Sequence, residues 1–229
     1  MKLSSDLKKC FVEFFGTFFF CFTILSCIIL APSSILTAII IGLALAVVVY
    51  IGGPISGGHY NPSVSLGIYL IGRMGSKKTL LYVAFQFFGA VYAAFMILLL
   101  SSVFDSVTPK EYSIWPLIIA EVIFTTFLIY TVMFCAISKR VNGNNYYGFA
   151  IGTSVTCGIG AVGSICLAAF NPAVALALLL TRVATFKIFF FTFLANAIAS
   201  FIAYGLFKLL NLDDVEKVEI VDIDEFIRK

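Results

Sequence analysis

Charge is what this sequence has least of: among 229 residues there are 15 Lys or Arg and 12 Asp or Glu, 12% in all, about half the share of a soluble domain. A soluble globular chain of this size is the poorer reading. The net charge of +3 is small and dispersed, and no basic block interleaves with aromatics, so no nucleic-acid partner is expected. Histidine occurs once. The six cysteines, Cys10, Cys21, Cys27, Cys135, Cys157 and Cys166, form no CxxC pair and have no partnering histidines, so no metal site is indicated. Most sit in apolar runs, where cysteine acts as a small hydrophobe. No Ser/His/Asp, Cys/His or paired-carboxylate set stands outside those runs. Catalysis therefore has no seat, and no cofactor is expected.

What the chain has in abundance is apolar length, with 61% hydrophobic residues and a mean hydropathy of +1.07. A helix needs roughly 20 apolar residues to cross a bilayer. Runs at 11–31, 35–54, 79–101, 114–137, 147–166 and 187–210 predict six transmembrane spans in an all-α membrane protein. The first run follows Lys2, Lys8 and Lys9, as a signal peptide would, but no small-residue cleavage site breaks it, so it reads as a retained span. Two apolar segments, 61–70 and 171–181, each open with Asn-Pro and are too short to cross. They read as re-entrant half-helices.

With the N-terminus inside, twelve basic residues fall on the cytoplasmic side (Lys2, Lys8, Lys9, Arg73, Lys77, Lys78, Lys139, Arg140, Lys208, Lys217, Arg228, Lys229) and three outside (Lys110, Arg182, Lys187). By the positive-inside rule both termini are expected in the cytoplasm. The expected organisation is an N-tail at 1–10, a channel domain at 11–210 and a solvated acidic C-tail at 211–229.

The chain repeats itself. An offset of 110 lays Ile41, Gly42, Gly53, Asn61, Pro62, Val64, Leu66 and Leu70 on Ile151, Gly152, Gly163, Asn171, Pro172, Val174, Leu176 and Leu180, and Gln86 on Asn196. An offset of 108 lays VEFFGTFFF from Val12 over AEVIFTTFL from Ala120, pairing Glu13 with Glu121. The repeats cover about 11–105 and 112–210. Each half holds three spans, an odd number, so the second half must be inverted. Inverted repeats build their site near the midplane from interrupted helices. Asparagine is a strong N-cap and proline suits the first helical turn, so each motif starts a helix. Two half-helices entering from opposite faces bring two positive dipole ends together with two side-chain amides. Such a site repels cations and suits a neutral hydrogen-bonding solute.

The motifs VEFFGTFFF, SGGHYNPSVSLG, FQFFGA, AEVIFTTFL, AIGTSV and FNPAVALA resemble those of the major intrinsic protein family, the aquaporins and aquaglyceroporins, from Val12 to about Leu210. The loops ISGGHYNP and NPAVA are most similar to the tonoplast intrinsic subgroup. The resemblance implies the aquaporin fold, a homotetramer in the lipid bilayer with one pore per protomer, and pore motifs at Asn61, Pro62, Ser63 and Asn171, Pro172, Ala173. It also implies pore-lining carbonyls at Gly57, Gly58, His59 and Tyr60 and at Leu167, Ala168, Ala169 and Phe170. Ungapped counting from the motifs puts the selectivity filter at Ile41, Ile159, Ala168 and Val174. Most members carry arginine where Val174 stands, and the tonoplast group usually has histidine where Ile41 stands. An apolar filter leaves cation exclusion mainly to the half-helix dipoles. Water is then expected to pass together with glycerol, urea, ammonia or hydrogen peroxide. Ser63, where alanine is common, can satisfy its hydroxyl on its own helix.

Several residues admit two readings. Glu13 and Glu121, carboxyls inside apolar spans, are either a proton relay or acceptors for the irregular loops before the half-helices, and the second is preferred. His59 is a pH gate or a structural histidine, and the structural role is preferred. Cys166 is a thiol-reagent target if its vestibule exposes it. The 25 phenylalanines read as packing and interfacial residues. The leading function is a passive channel. The alternatives are a proton-coupled secondary transporter using Glu13 and Glu121, or a junctional protein with a closed pore.

Overall fold

A computed structural model describes residues 4–30, 34–101 and 107–210. The acidic tail at 211–229 and the ends of the first span and first repeat at 31 and 102–105 lie outside the described residues. Within them the chain forms eight α-helices: α1 Ser5–Leu25, α2 Ser34–Ser56, α3 Pro62–Leu70, α4 Ser76–Leu100, α5 Ile114–Ile137, α6 Tyr147–Val162, α7 Pro172–Leu180 and α8 Phe186–Leu210.

The local chemistry explains where these helices begin and end. Ser4 caps α1 by accepting from the Leu7 amide at 3.3 Å, and Asp6 in the first turn complements the helix dipole. Helix α1 starts before the first apolar run, because this cap and the acidic first turn nucleate it ahead of the hydrophobic residues. Its last residues widen into a π-helical segment, Ser26–Leu30. The half-helices end alike. Gly72 and Arg182, equivalent in the repeat, both take positive φ, 76° and 59°, and the Arg73 and Val183 amides donate back to the Ile68 and Leu178 carbonyls. This is a Schellman-type stop, which favours glycine at the left-handed position.

Helices α1, α2, α4, α5 and α8 are long and apolar enough to cross a membrane. Helix α6 is shorter than the run at 147–166 suggests. It stops at Val162 after 16 residues, and hydrogen-bonded turns carry the chain to Cys166. Hydropathy extends the span because Ile165 and Cys166 keep these turns apolar in sequence, although only Cys166 is buried and Ile165 is exposed.

The packing repeats under inversion. Helices α1 and α4 run side by side in parallel, with Phe11 against Phe85 and Phe14 against Tyr92. Helices α5 and α8 do the same, through Glu121 with Asn196 and Tyr130 with Phe207. Helices α2 and α6, equivalent to each other, cross antiparallel, with Thr156 Oγ1 donating to the Ala38 carbonyl at 3.2 Å and Tyr50 Oη to the Asn145 carbonyl at 3.0 Å. At their crossing Gly42 faces its own repeat equivalent: a Cβ on Gly42 would stand 2.7 Å from the Gly152 carbonyl oxygen, and one on Gly152 would collide with the Gly42 carbonyl. Only glycine permits that approach.

Small residues mediate the other contacts, among them Ala90, Ala93 and Ala94 on α4 and Ala195, Ala199 and Ala203 on α8, all buried. Large apolar side chains such as Leu43, Ile51, Phe88, Phe127, Ile198 and Phe201 face outward. A surface so apolar suits lipid rather than water.

Candidate functional site

The half-helices α3 and α7 meet head to head, and their first residues bond across the repeat. Asn61 lies in extended backbone, φ −153°, and its Oδ1 accepts from the Ser63 amide at 2.9 Å. Its Nδ2 donates to the carbonyl of Phe170 at 2.8 Å. Asn171 mirrors it: Oδ1 accepts from Ala173 at 2.9 Å and Val174 at 3.5 Å, and Nδ2 donates to the Tyr60 carbonyl at 2.8 Å. Each asparagine thus caps its own helix and ties the residue before the other asparagine. An amide NH2 carries two hydrogens, so each has a second one that these bonds do not use.

The loops reach this geometry by a shared backbone device. Gly58 and Ala168, three residues before each asparagine, and Tyr60 and Phe170, one before, all have positive φ: 62°, 50°, 49° and 48°. A left-handed non-glycine residue costs on the order of 1–3 kcal/mol and persists only where its surroundings hold it. Tyr60 is wedged where a Cβ on Gly16 or Gly52 would strike its ring, and its hydroxyl donates to the Val48 carbonyl at 2.9 Å. Phe170 lies against Phe124 at 5.6 Å and closes onto Gly158.

Behind each loop stands a glutamate. Glu13 Oε1 accepts from the Ser56 hydroxyl at 2.6 Å and the His59 amide at 3.0 Å, and Oε2 from the Tyr60 amide at 2.7 Å and Gln86 Nε2 at 2.9 Å. Glu121 Oε1 accepts from the Ala169 amide at 2.8 Å, and Oε2 from Phe170 and Asn196 Nδ2, both at 2.9 Å. Both carboxyls are fully buried. Gln86 and Asn196, matched by the repeat, therefore hold glutamates that sequence reasoning singled out, a role it left unassigned. Their equivalence at the same offset as the Asn-Pro motifs was the available signal.

The halves differ in polarity. In the first, Gln86 Nε2 also donates to Ser65 Oγ at 2.9 Å, and Ser65 Oγ lies 3.0 Å from His59 Nδ1. Ser65 Oγ thus bridges Gln86 and the His59 ring, and can either donate to or accept from Nδ1 according to the ring tautomer. In the second half Ala169 and Ala175 stand at the equivalent positions, and no such chain exists. Sequence reading missed Ser56, Ser65 and Ser200, whose hydroxyl donates to the Ser63 carbonyl at 3.0 Å. Serines in apolar helices carry no signal of their own.

A narrow cavity runs beside the asparagine pair. Asn61, Asn171, Gly58, His59 and Ala169 contribute its polar stripe and loop backbone, and its apolar wall includes Phe20, Leu45, Val49, Val64, Leu128, Val132, Ile151 and Val155. Its free volume of about 10 Å³ is close to the least that holds one water molecule. Of the expected carbonyl positions, Gly58, His59 and Ala169 border this cavity, whereas the Tyr60 and Phe170 carbonyls receive the asparagine amides. Gly57 and Leu167 are not among its walls.

Ile41, Ile159, Ala168 and Val174 also lie outside these walls. Ile41 and Val174 are buried, and Ile159 and Ala168 pack on the same core. Ile41 is one turn before Leu45 and Ile159 one turn after Val155. Because α2 and α6 are antiparallel, both lie toward the same end of the passage. Cys166 is buried, with its thiol donating to the Val162 carbonyl.

Residues 1–204 match the model of the family described as Major intrinsic protein. Aquaporin TIP1-2 of Musa acuminata is 32% identical over 141 residues, 58% of this chain and 54% of the relative. Aquaporin Z of Brucella melitensis is 32% identical over 147 residues, 56% and 64%, and aquaporin NIP1-1 of Zea mays is 29% identical over 217 residues, 90% and 76%. The alignment with the first of these spans about half of that relative's length. Among solved structures, the aquaglyceroporin from Plasmodium falciparum superposes with a TM-score of 0.76 at 20% identity, covering 92% of this chain and 98% of that one, which establishes the fold. With the family's model matched along nearly the whole described chain and its fold reproduced, this protein belongs to the major intrinsic protein family.

Proposed function

We propose that the chain is a passive channel that conducts water and small uncharged solutes through the passage beside Asn61 and Asn171. The observation that carries this reading is the reciprocal bond between the half-helices, which presents two amide donors side by side on one narrow cavity. A solute oxygen accepts from Asn61 and Asn171 in turn, while the N-termini of α3 and α7 oppose a cation there. Carbonyls of the segments 57–60 and 167–170 serve as acceptors along the route. Ile41, Ile159, Ala168 and Val174 form the selectivity filter. Lacking arginine, that filter admits glycerol, urea, ammonia or hydrogen peroxide beside water. The protein is an integral membrane protein by its family and its apolar helices. A homotetramer with both termini cytoplasmic completes the reading.

A proton-coupled transporter is less well supported, because Glu13 and Glu121 hold loop amides and neither borders the passage. The family is one of channels rather than enzymes, and the site offers no nucleophile and base. Stopped-flow measurements on proteoliposomes with water, glycerol, urea and ammonia test the proposal. The expected result is fast, unsaturable flux of low activation energy, unaffected by a pH gradient. Saturable uptake that follows the proton gradient overturns it.

A further inference from the structure

We propose that the outer face shared by α1 and α4 binds an anionic phospholipid, its acyl chain in an aromatic groove and its headgroup against lysines at the start of both helices. The groove, of about 520 Å³, is walled by Phe11 and Phe14 of α1 and chiefly by Phe85, Phe88, Tyr92 and Phe95 of α4. Its walls interlock: Phe11 meets Phe85 edge-on at 5.7 Å, Phe85 meets Phe88 at 6.4 Å and 86°, and Phe14 lies 6.0 Å from Tyr92. A surface already fixed in this way loses little freedom when a chain settles into it. From Phe85 to Phe95 the groove spans ten helical steps, about 15 Å at the helical rise. That is half the hydrocarbon thickness, the depth of one leaflet.

The groove opens toward a cationic end. Because α1 and α4 are parallel, Lys8 and Lys9 stand about one turn before Phe11, and Lys77 and Lys78 about two turns before Phe85. Lys8 and Lys77 are exposed, Lys78 Nζ stands 5.3 Å from the Tyr82 ring, and Asp6 is the acid in the first turn of α1. Gly75 caps α4 without a side-chain hydrogen bond, so the first amides of that helix remain available to a phosphate oxygen.

The molecule contains its own control, since the inverted repeat supplies an equivalent face on α5 and α8. There Ile119, Val122, Ala195, Ile198, Ile202 and Gly205 replace the six rings, and Phe201, opposite Val91, is the aromatic residue that appears. Lys187 stands where Lys77 does, and Thr185, the counterpart of Gly75, accepts from the Ile188 amide at 3.3 Å. Generic lipid exposure would act on both faces alike. The rings, the lysines and the open helix start occur together on one face.

Native mass spectrometry of the full chain in detergent, titrated with dioleoylphosphatidylglycerol or dioleoylphosphatidylcholine, tests this. The glycerol lipid is expected to bind at least about tenfold more tightly. Lys77→Gln with Lys78→Gln should erase that preference, by roughly fivefold for each lysine, while choline-lipid binding persists. Phe88→Ala with Phe95→Ala, both on the outer surface, should weaken both lipids, and Ile198→Ala with Ile202→Ala on the equivalent face should weaken neither. Equal affinity for the two lipids, or equal losses from the two faces, overturns the proposal. So does loss of oligomer mass in the Phe88/Phe95 variant with lipid binding intact, which would assign the face to a second copy of the chain. Should the phenylalanine variant not fold, the lysine variant decides alone.

Discussion

Replacing Asn61 with aspartate separates the two tasks of that side chain. The carboxylate retains the acceptor for the Ser63 amide, now 2.9 Å from Oδ1, so the start of α3 survives. The donor to the Phe170 carbonyl, 2.8 Å away, is lost, and two acceptors face each other across that gap. An unmet buried carbonyl costs about 1–3 kcal/mol, which a charged cap at a helix N-terminus offsets by about 0.3–1 kcal/mol. Folding should therefore survive with modest loss. The larger effect is on ions. The ends of α3 and α7 each carry roughly half a positive charge, so a cation between them faces about one unit of repulsion. At about 4 Å and an effective dielectric constant near 20 this is roughly 4 kcal/mol. An aspartate there cancels the field, and a barrier lowered by that amount raises cation passage roughly a thousandfold. Sodium entry into proteoliposomes, read with an enclosed fluorescent indicator beside water flux on the same vesicles, measures it. A variant that conducts water normally and excludes sodium as wild type does would refute the argument, and exclusion would then rest on the apolar residues around Ile41 and Val174.

Val174→Arg should cut glycerol and urea flux at least tenfold while water flux persists, because the guanidinium narrows the passage and supplies donors; stopped-flow swelling reads both. Gly152→Ala drives a methyl into the Gly42 carbonyl and Ala46 and should cost about 1–3 kcal/mol of stability as an overpacking change, seen as a lower melting temperature in detergent. Ser65→Ala removes the acceptor for Gln86 and the anchor of His59. It should lower stability by about 0.5–1.5 kcal/mol and free the ring, detectable by histidine NMR, with water flux retained. Glu121→Ala strands the Ala169 and Phe170 amides, at about 1–3 kcal/mol for each donor, and leaves Asn196 Nδ2 only its bond to the Thr192 carbonyl. Set against a total stability of about 5–15 kcal/mol, this variant should yield little folded protein by size-exclusion chromatography.

The half-helices were legible because three signals coincide at Asn61 and Asn171: cap chemistry, proline at the first turn and a constant repeat offset. The glutamates were legible because a carboxyl in an apolar run needs donors, and the loops have amides to give. The left-handed backbone at Ala168, Tyr60 and Phe170 was not legible, since none of these residue types favours it; Gly16, Gly52 and Gly158 hold the rings from distant helices. Nor does any local pattern announce that Asn61 bonds to Phe170. That contact exists only once the halves have been inverted against each other. The end of α6 was misjudged for a related reason, because Ile165 and Cys166 continue the apolar run past Val162 although the helix has already ended.

The acceptors that tie the halves together at Tyr60 and Phe170 are backbone carbonyls, which every sequence supplies. A half-length chain bearing one Asn-Pro helix would therefore carry both the donor and the acceptor of this bond, and two such chains inserted in opposite orientations could clasp each other by the same pair of contacts. Fusing two such copies would keep that clasp within one chain and leave each half free to differ, as the halves here do: His59 and Ser65 stand in one where Ala169 and Ala175 stand in the other.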